Sequence, residues 1–186
     1  MVGRPRSETK LVRRAQAGDK VAFAELIEAH EKVALRLAWL LTGNPADAED
    51  AVQNGLVKAF FALDRFRPEA QLRPWLLRIV ANEAREGRRS KTRRARLAVR
   101  LSEQQPVGNA APSPQAAVVA AEERDRVLTA VEQLSERDRS VIVCRYFLDL
   151  SEQETACVLS IRRGTVKSRC SRALERLRGL LEESNA

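Results

Sequence analysis

Aromatic residues make up only 4% of this 186-residue chain. No stretch alternates Val, Ile, Thr or Tyr with polar residues, so nothing reads as a strand. Ala, Leu, Arg, Glu and Gln dominate instead, and this composition points to an all-α fold. No apolar run approaches the ~20 residues that span a bilayer, and the opening MVGRPRSETKLVRRAQAGDK lacks the apolar core of a signal peptide. Membrane insertion is therefore not expected, and the expected location is the cytoplasm. The single histidine, His30, has no Ser, Cys or carboxylate constellation to place it in catalysis and reads as an ordinary helix-surface residue. Cys144, Cys157 and Cys170 recur every 13 residues, which fits no metal or redox spacing, so they are expected to be small buried apolar residues. No catalytic residue, metal or cofactor is expected.

What the chain has in excess is positive charge, a net +8, and it is placed unevenly. Residues 1–101 carry 21 Lys/Arg against 12 Asp/Glu, and residues 102–186 carry 12 against 13. Within the second half, residues 161–178 still hold seven basic residues and one acid, Glu175. Local positive charge on an otherwise acidic unit suits a polyanion, although arginines that merely solvate helix faces also make such runs.

Ser102 to Val118 contains three Pro, one Gly and no bulky apolar residue beyond two Val. It cannot bury enough surface to order itself and reads as a linker between two small helical domains, 8–101 and 119–183. In the first, Ser7 caps a short helix ending at Gly18, and Asp19 caps a longer one stopped by Gly43-Asn44-Pro45. Asn44 then serves as N-cap, with Pro45 at the first helical position and Asp47, Glu49 and Asp50 favouring the positive helix N-terminus, for a helix to about Leu63. Gly55 weakens that helix by about 1 kcal/mol relative to Ala. Pro74 opens a further helix that runs into REGRRSKTRRARLAVR, with eight basic residues in sixteen.

In the second domain the expected helices are Ala120 to Gln133, Ser135 to Tyr146 with Ser135 as its cap, and a closing pair. Ser151-Glu152-Gln153-Glu154 is a capping box, its helix ends near Leu159, a turn spans Ser160 to Arg163, and Gly164 opens the next helix. This is a helix-turn-helix signature. At 100° per residue, Val166, Cys170, Ala173, Leu177 and Leu180 form one inward stripe. The opposite face presents Thr165, Ser168, Ser171 and Arg172, flanked by Lys167, Arg169 and Arg176, groups that read base edges and phosphates in a major groove.

Three segments in this order, GNPADAEDAVQ, FRPEAQLRPWLLRIVAN and LSEQETACVLSIRRGTVKSR, resemble the extracytoplasmic-function (ECF) class of bacterial sigma factors, which keep only the second and fourth conserved regions of the larger sigmas. The resemblance covers most of the chain outside the linker and termini. It implies two helical domains, 8–101 as region 2 and 119–183 as region 4, that bind RNA polymerase core and recognise the −10 and −35 promoter elements. It implies that Asp50 and Gln53, extended by Asp47, Glu49 and Asn54, dock on the clamp helices of the largest polymerase subunit. Asn54 stands where an acid is common. It further implies that Phe66, Arg67, Gln71 and Trp75 lie in or beside a loop that captures an unstacked base, with Trp75 fitting core packing equally well. Asn82 and Arg85 would contact DNA on the following helix, and Arg88 and Arg89 begin a tail along the phosphates. Upstream-element contacts fall to Arg162, Arg163, Thr165, Lys167, Ser168, Arg169, Ser171 and Arg172, with Ser160 standing where Gly is common. An anti-sigma protein is expected as a partner, alongside promoter DNA, double-stranded and locally melted.

Two other functions compete. A dimeric response regulator would need a sensory domain, and the first half offers no phosphoacceptor βα pattern. A nucleic-acid enzyme would need clustered carboxylates for metal or a nucleophile beside a base, and the one tight acid cluster, Asp47, Glu49 and Asp50, lies in a single helical turn with no partner elsewhere.

Overall fold

A computed structural model describes residues 6–101 and 118–183. Among these residues every regular element is helical. The elements are α1 (Arg6–Gln16), α2 (Lys20–Thr42), α3 (Pro45–Ala62), a 3-10 turn (Leu63–Arg65), α4 (Leu72–Leu101), α5 (Val118–Gln133), α6 (Glu136–Ile142), a π turn (Val143–Phe147), α7 (Glu152–Leu159) and α8 (Arg163–Glu183). The linker expected at 102–118 lies outside the described residues except for Val118, which opens α5.

Local chemistry sets most boundaries. The Asp19 carboxylate accepts from the Val21 and Ala22 amides at 3.0 Å each, ending the preceding turn and starting α2. The Ala22 amide and the Arg14 guanidinium together hold that carboxyl below its usual range. Gly43, in the left-handed region at φ 72°, terminates α2 by donating its N–H to the Trp39 carbonyl at 2.8 Å. Asn44 accepts from the Asp47 amide at 3.1 Å and Pro45 fills the first helical position of α3. Helix α4 begins at Leu72, two residues before the expected start, because Pro74 is compatible with a first turn whose N–H groups have no intrahelical partner anyway. The helix expected to reach Tyr146 instead ends at Ile142 and widens into the π turn, after which the Leu150 amide bonds the Cys144 carbonyl at 2.9 Å.

The packing centres on α4. Leu77, Val80, Ala81 and Ala84 lie against Leu37 and Leu41 of α2 and Ala48 and Val52 of α3. The same buried cluster continues through Ile142, Cys144 and Leu150 into Val158 of α7 and Val166 and Ala173 of α8. A smaller cluster joins Val12, Leu26, Leu63, Phe66 and Leu72. Each fully buried Leu or Val contributes about 1.5–3 kcal/mol relative to exposure, so this burial outweighs any difference in helix propensity.

Two buried features tie the helices together. Arg139 is only 2% exposed. Its guanidinium donates to the carbonyls of Val131 (3.0 Å), Glu132 and Leu134 (3.3 Å), satisfying the C-terminal end of α5. Gly55, weak as a helix former, faces Val80: a Cβ there would lie 2.9 Å from Val80 Cγ2 and 3.3 Å from Val80 Cα. The missing side chain is what lets α3 and α4 approach.

Gly55→Ala should therefore lower stability, although propensity alone favours Ala by about 1 kcal/mol. Overpacking costs of about 1–3 kcal/mol exceed that gain. Chemical denaturation should show a reduced midpoint, and an increased midpoint would refute the close-contact explanation.

Candidate nucleic-acid interface

The best-defined part of the interface is α7 and α8. Ser151 Oγ accepts from the Glu154 amide at 3.2 Å while Glu154 Oε2 accepts from the Ser151 amide at 2.8 Å, so the capping box forms as expected. Ser160 ends α7 in the left-handed conformation at φ 54°. Arg163 then reaches back to Glu152 at 2.9 Å, tying the two helices together and holding the Glu152 carboxyl below its ordinary range.

On α8, Val166, Ala173 and Leu177 are buried and Cys170 and Leu180 are half-buried, which matches the inward stripe. Lys167, Ser168, Ser171 and Arg172 are exposed, together with Arg162 in the turn. Thr165 and Arg169 are half-buried. Arg172 lies along its own helix, with Nε donating to the Ser168 carbonyl at 3.2 Å. Arg176 turns away from this face to pair with the buried Asp138, itself held by Ser135 Oγ at 2.9 Å. The flanking cation thus serves as an anchor between α6 and α8.

In the first half, Arg67 and Gln71 are exposed and Trp75 is half-buried. These three line an open crevice of about 670 Å³ shared with Glu154 and Cys157 of α7. Phe66 departs from the expected presentation of its ring to a base: it is 5% exposed and packs on Trp75 with ring centroids 4.8 Å apart. Its carbonyl, with that of Leu63, accepts from Gln16 Nε2, which ties the loop to α1. Arg88 also departs from the phosphate-contact expectation, since its Nη1 donates to the Leu41 carbonyl at 3.2 Å and caps α2. Asn82 is exposed and accepts from Arg85 at 3.3 Å. Arg89 is exposed yet forms a two-bond pair with Glu136 of α6, at 2.9 and 3.1 Å.

The expected polymerase-docking residues divide as well. Glu49, Asp50, Gln53 and Asn54 are exposed on α3, whereas Asp47 is half-buried and paired with Lys91. Sequence reasoning missed that this face continues into Val57 and Phe61, 56% and 75% exposed, at the i+3, i+4 spacing that carries one helix face. Their apolar type in an otherwise polar stripe was the available signal.

The cysteines do not share one environment. Cys144 is buried, and that burial pushes its thiol up to about 12. Cys157 is exposed, contrary to expectation, and Cys170 is half-buried beside the Tyr146 hydroxyl at 3.9 Å. Among the described residues no cluster of three or more His, Cys, Asp or Glu is arranged for a metal, and no helix is long and apolar enough to cross a membrane.

These features define a helix-turn-helix protein with a second helical unit packed against it. Residues 26–94 match the family described as Sigma-70 region 2, and residues 124–177 match Sigma-70, region 4. The ECF RNA polymerase sigma factor SigM of Mycobacterium tuberculosis is 32% identical over 176 residues, covering 95% of this chain and 85% of that protein. The structure is similar to CnrH solved in complex with the cytosolic domain of CnrY, with TM-score 0.70, 29% identity and coverage of 95% of this chain and 98% of that one. It is also similar to the sigma factor RpoE in complex with the anti-sigma factor NepR from Bartonella quintana, with TM-score 0.68, 28% identity and coverage of 86% and 96%. The chain belongs to the sigma-70 family, in its ECF class, and is a transcription-initiation factor.

The left-handed turn gives a local test. Ser160→Gly should stabilise the protein by up to about 1 kcal/mol, because a non-glycine residue pays roughly that much in this conformation. Thermal melting should shift upward, and a lower melting temperature would contradict the strain assigned to Ser160.

Proposed function

We propose that this protein binds RNA polymerase core through α3 and reads promoters with two surfaces, one on each half, without catalytic chemistry of its own. Residues 8–101 act as the region 2 unit and 119–183 as the region 4 unit, joined through 102–118. The observation that carries this reading is the division of α8 into a buried apolar stripe and an exposed face of Lys167, Ser168, Ser171 and Arg172. An α-helix presenting hydrogen-bonding and cationic groups on one side fits a major groove about 12 Å wide. Thr165, Arg169, the turn residue Arg162 and Arg163 at the start of α8 flank that face and supply phosphate contacts.

For the start-proximal element, Arg67, Gln71 and Trp75 supply cation, amide and ring faces around one crevice, suited to holding an extruded base by stacking and edge hydrogen bonds. Asn82, Arg85 and Arg89 continue the surface along α4. Docking on the polymerase uses Glu49, Asp50, Gln53 and Asn54, with Val57 and Phe61 adding apolar area beside the acids. An acidic and apolar face on a basic protein requires a partner other than DNA, and the clamp helices of the largest subunit are the partner proposed. The protein acts in the cytoplasm. Because CnrH and RpoE were solved with the bound proteins CnrY and the anti-sigma factor NepR, we place this chain under an anti-sigma protein too.

Run-off transcription with purified core polymerase tests the function. Wild type should start at a defined promoter, while the paired change Asp50→Ala and Gln53→Ala should lose transcription and core binding with helical content unchanged. Arg172→Ala should cost about 1–3 kcal/mol on the preferred duplex and relax sequence choice, whereas the exposed Arg178→Ala should cost much less. Absence of any promoter-specific transcript would overturn the reading. Equal losses for Arg172→Ala and Arg178→Ala on specific and scrambled duplexes would reduce the α8 face to an electrostatic pad.

A further inference from the structure

Where the two halves meet, α4, α6, the end of α7 with its following turn, and α8 border an open crevice of about 390 Å³, with Leu159 and Ile161 on its apolar side. Four arginines line it, Arg85 and Arg89 from α4, Arg137 from α6 and Arg169 from α8, with Ser140 beside them and Glu136 as the one acid. That acid is already engaged, since both of its oxygens accept from Arg89. Among the described residues neither Arg137 nor Arg169 has a carboxylate partner.

Arg85 is the most constrained of the four. Its Nε and Nη2 are buried with no hydrogen-bond partner among the described residues, and its remaining bond goes to the neutral Asn82 amide oxygen at 3.3 Å. A buried guanidinium with open donors is costly, because its lost hydration is not replaced. Burial lowers its proton affinity, Cys144 and Glu136 nearby oppose that shift, and Arg89 adds a smaller repulsion. Cations gathered into one crevice repel one another, and an anion bound among them would offset that repulsion. The fork of donors on an arginine matches the oxygens of a phosphate in two parallel bonds.

We propose that this crevice binds a small multivalent phosphate anion, inorganic pyrophosphate or the polyphosphate tail of a nucleotide, held between the cations of α4, α6 and α8. A single charge cannot serve four cations drawn from three helices; a chain of linked phosphates reaches several at once. A duplex is too large for the crevice in this packing, its major groove alone being about 12 Å wide. The consequence for promoter reading rests on the function proposed above, because Arg85, Arg89 and Arg169 also belong to the proposed DNA surface and an occupied crevice withholds them from DNA.

Isothermal titration of the full chain with orthophosphate, pyrophosphate and ATP, at ionic strength matched with chloride, tests the site. With neither DNA nor polymerase present, failure here is separate from failure of the promoter-reading function. Pyrophosphate should bind saturably, at least about tenfold tighter than orthophosphate, and ATP should compete with it. Arg85→Gln and Arg169→Gln should each weaken pyrophosphate by about tenfold, whereas Arg178→Gln, on the same helix outside the crevice, should change it less than about twofold. Should Arg85→Gln fail to fold, Arg169→Gln against Arg178→Gln decides alone, since neither residue is fully buried. Absence of saturable binding, affinity that follows ionic strength regardless of anion, or equal losses in Arg169→Gln and Arg178→Gln would each overturn the assignment.

Discussion

Helix α4 is packed on more than one side at once, and the rest of the molecule is arranged around that constraint. Leu77, Val80, Ala81 and Ala84 are almost fully buried. Val80 also defines the depth to which α3 can approach, because Gly55 leaves room for it. The buried cluster then passes without interruption into α6, α7 and α8, so the helix-turn-helix is seated on the first unit by the same apolar packing that holds each unit together. Polar links reinforce the junction: Arg73 donates to the Leu148 carbonyl at 3.1 Å, and Arg89 is bound by Glu136.

This arrangement assigns the cations of α4 two kinds of work. Arg88 is committed to the architecture, closing the C-terminal end of α2. Arg85 and Arg89 sit where the halves meet and are engaged or covered there. On the second half the same division recurs, with Arg139 and Arg176 holding helix ends and buried acids while Lys167 and Arg172 stay in solvent. Charge count alone treats these arginines as equivalent, whereas their partners separate anchors from residues available to a polyanion.

Signals that act within a few residues were legible in the sequence. Asp19, Asn44, Ser135 and the Ser151/Glu154 box all cap helices through bonds spanning two to three positions. The α8 stripe was legible because one helical period determines it. What was not legible depends on distant chain. Nothing local to Arg139 shows that the carbonyls ending α5 come within its reach, and Phe66 reads as a presented ring until Trp75 closes over it. Gly55 reads as a weak helix residue because Val80, its reason for being small, lies on another helix. The exposure of Cys157 likewise follows from which face of α7 meets α4, a matter of tertiary docking rather than local pattern.

In the free chain the two halves form one packed body through α4. The direct measurement is the distance distribution between spin labels at positions 57 on α3 and 175 on α8. Cys157 and Cys170 would be replaced by Ser, and Cys144 left in place, since its burial keeps the thiol protonated. The free protein should give a single narrow distribution. A broad distribution extending to long separations would show two independently moving units and rule out the packed body.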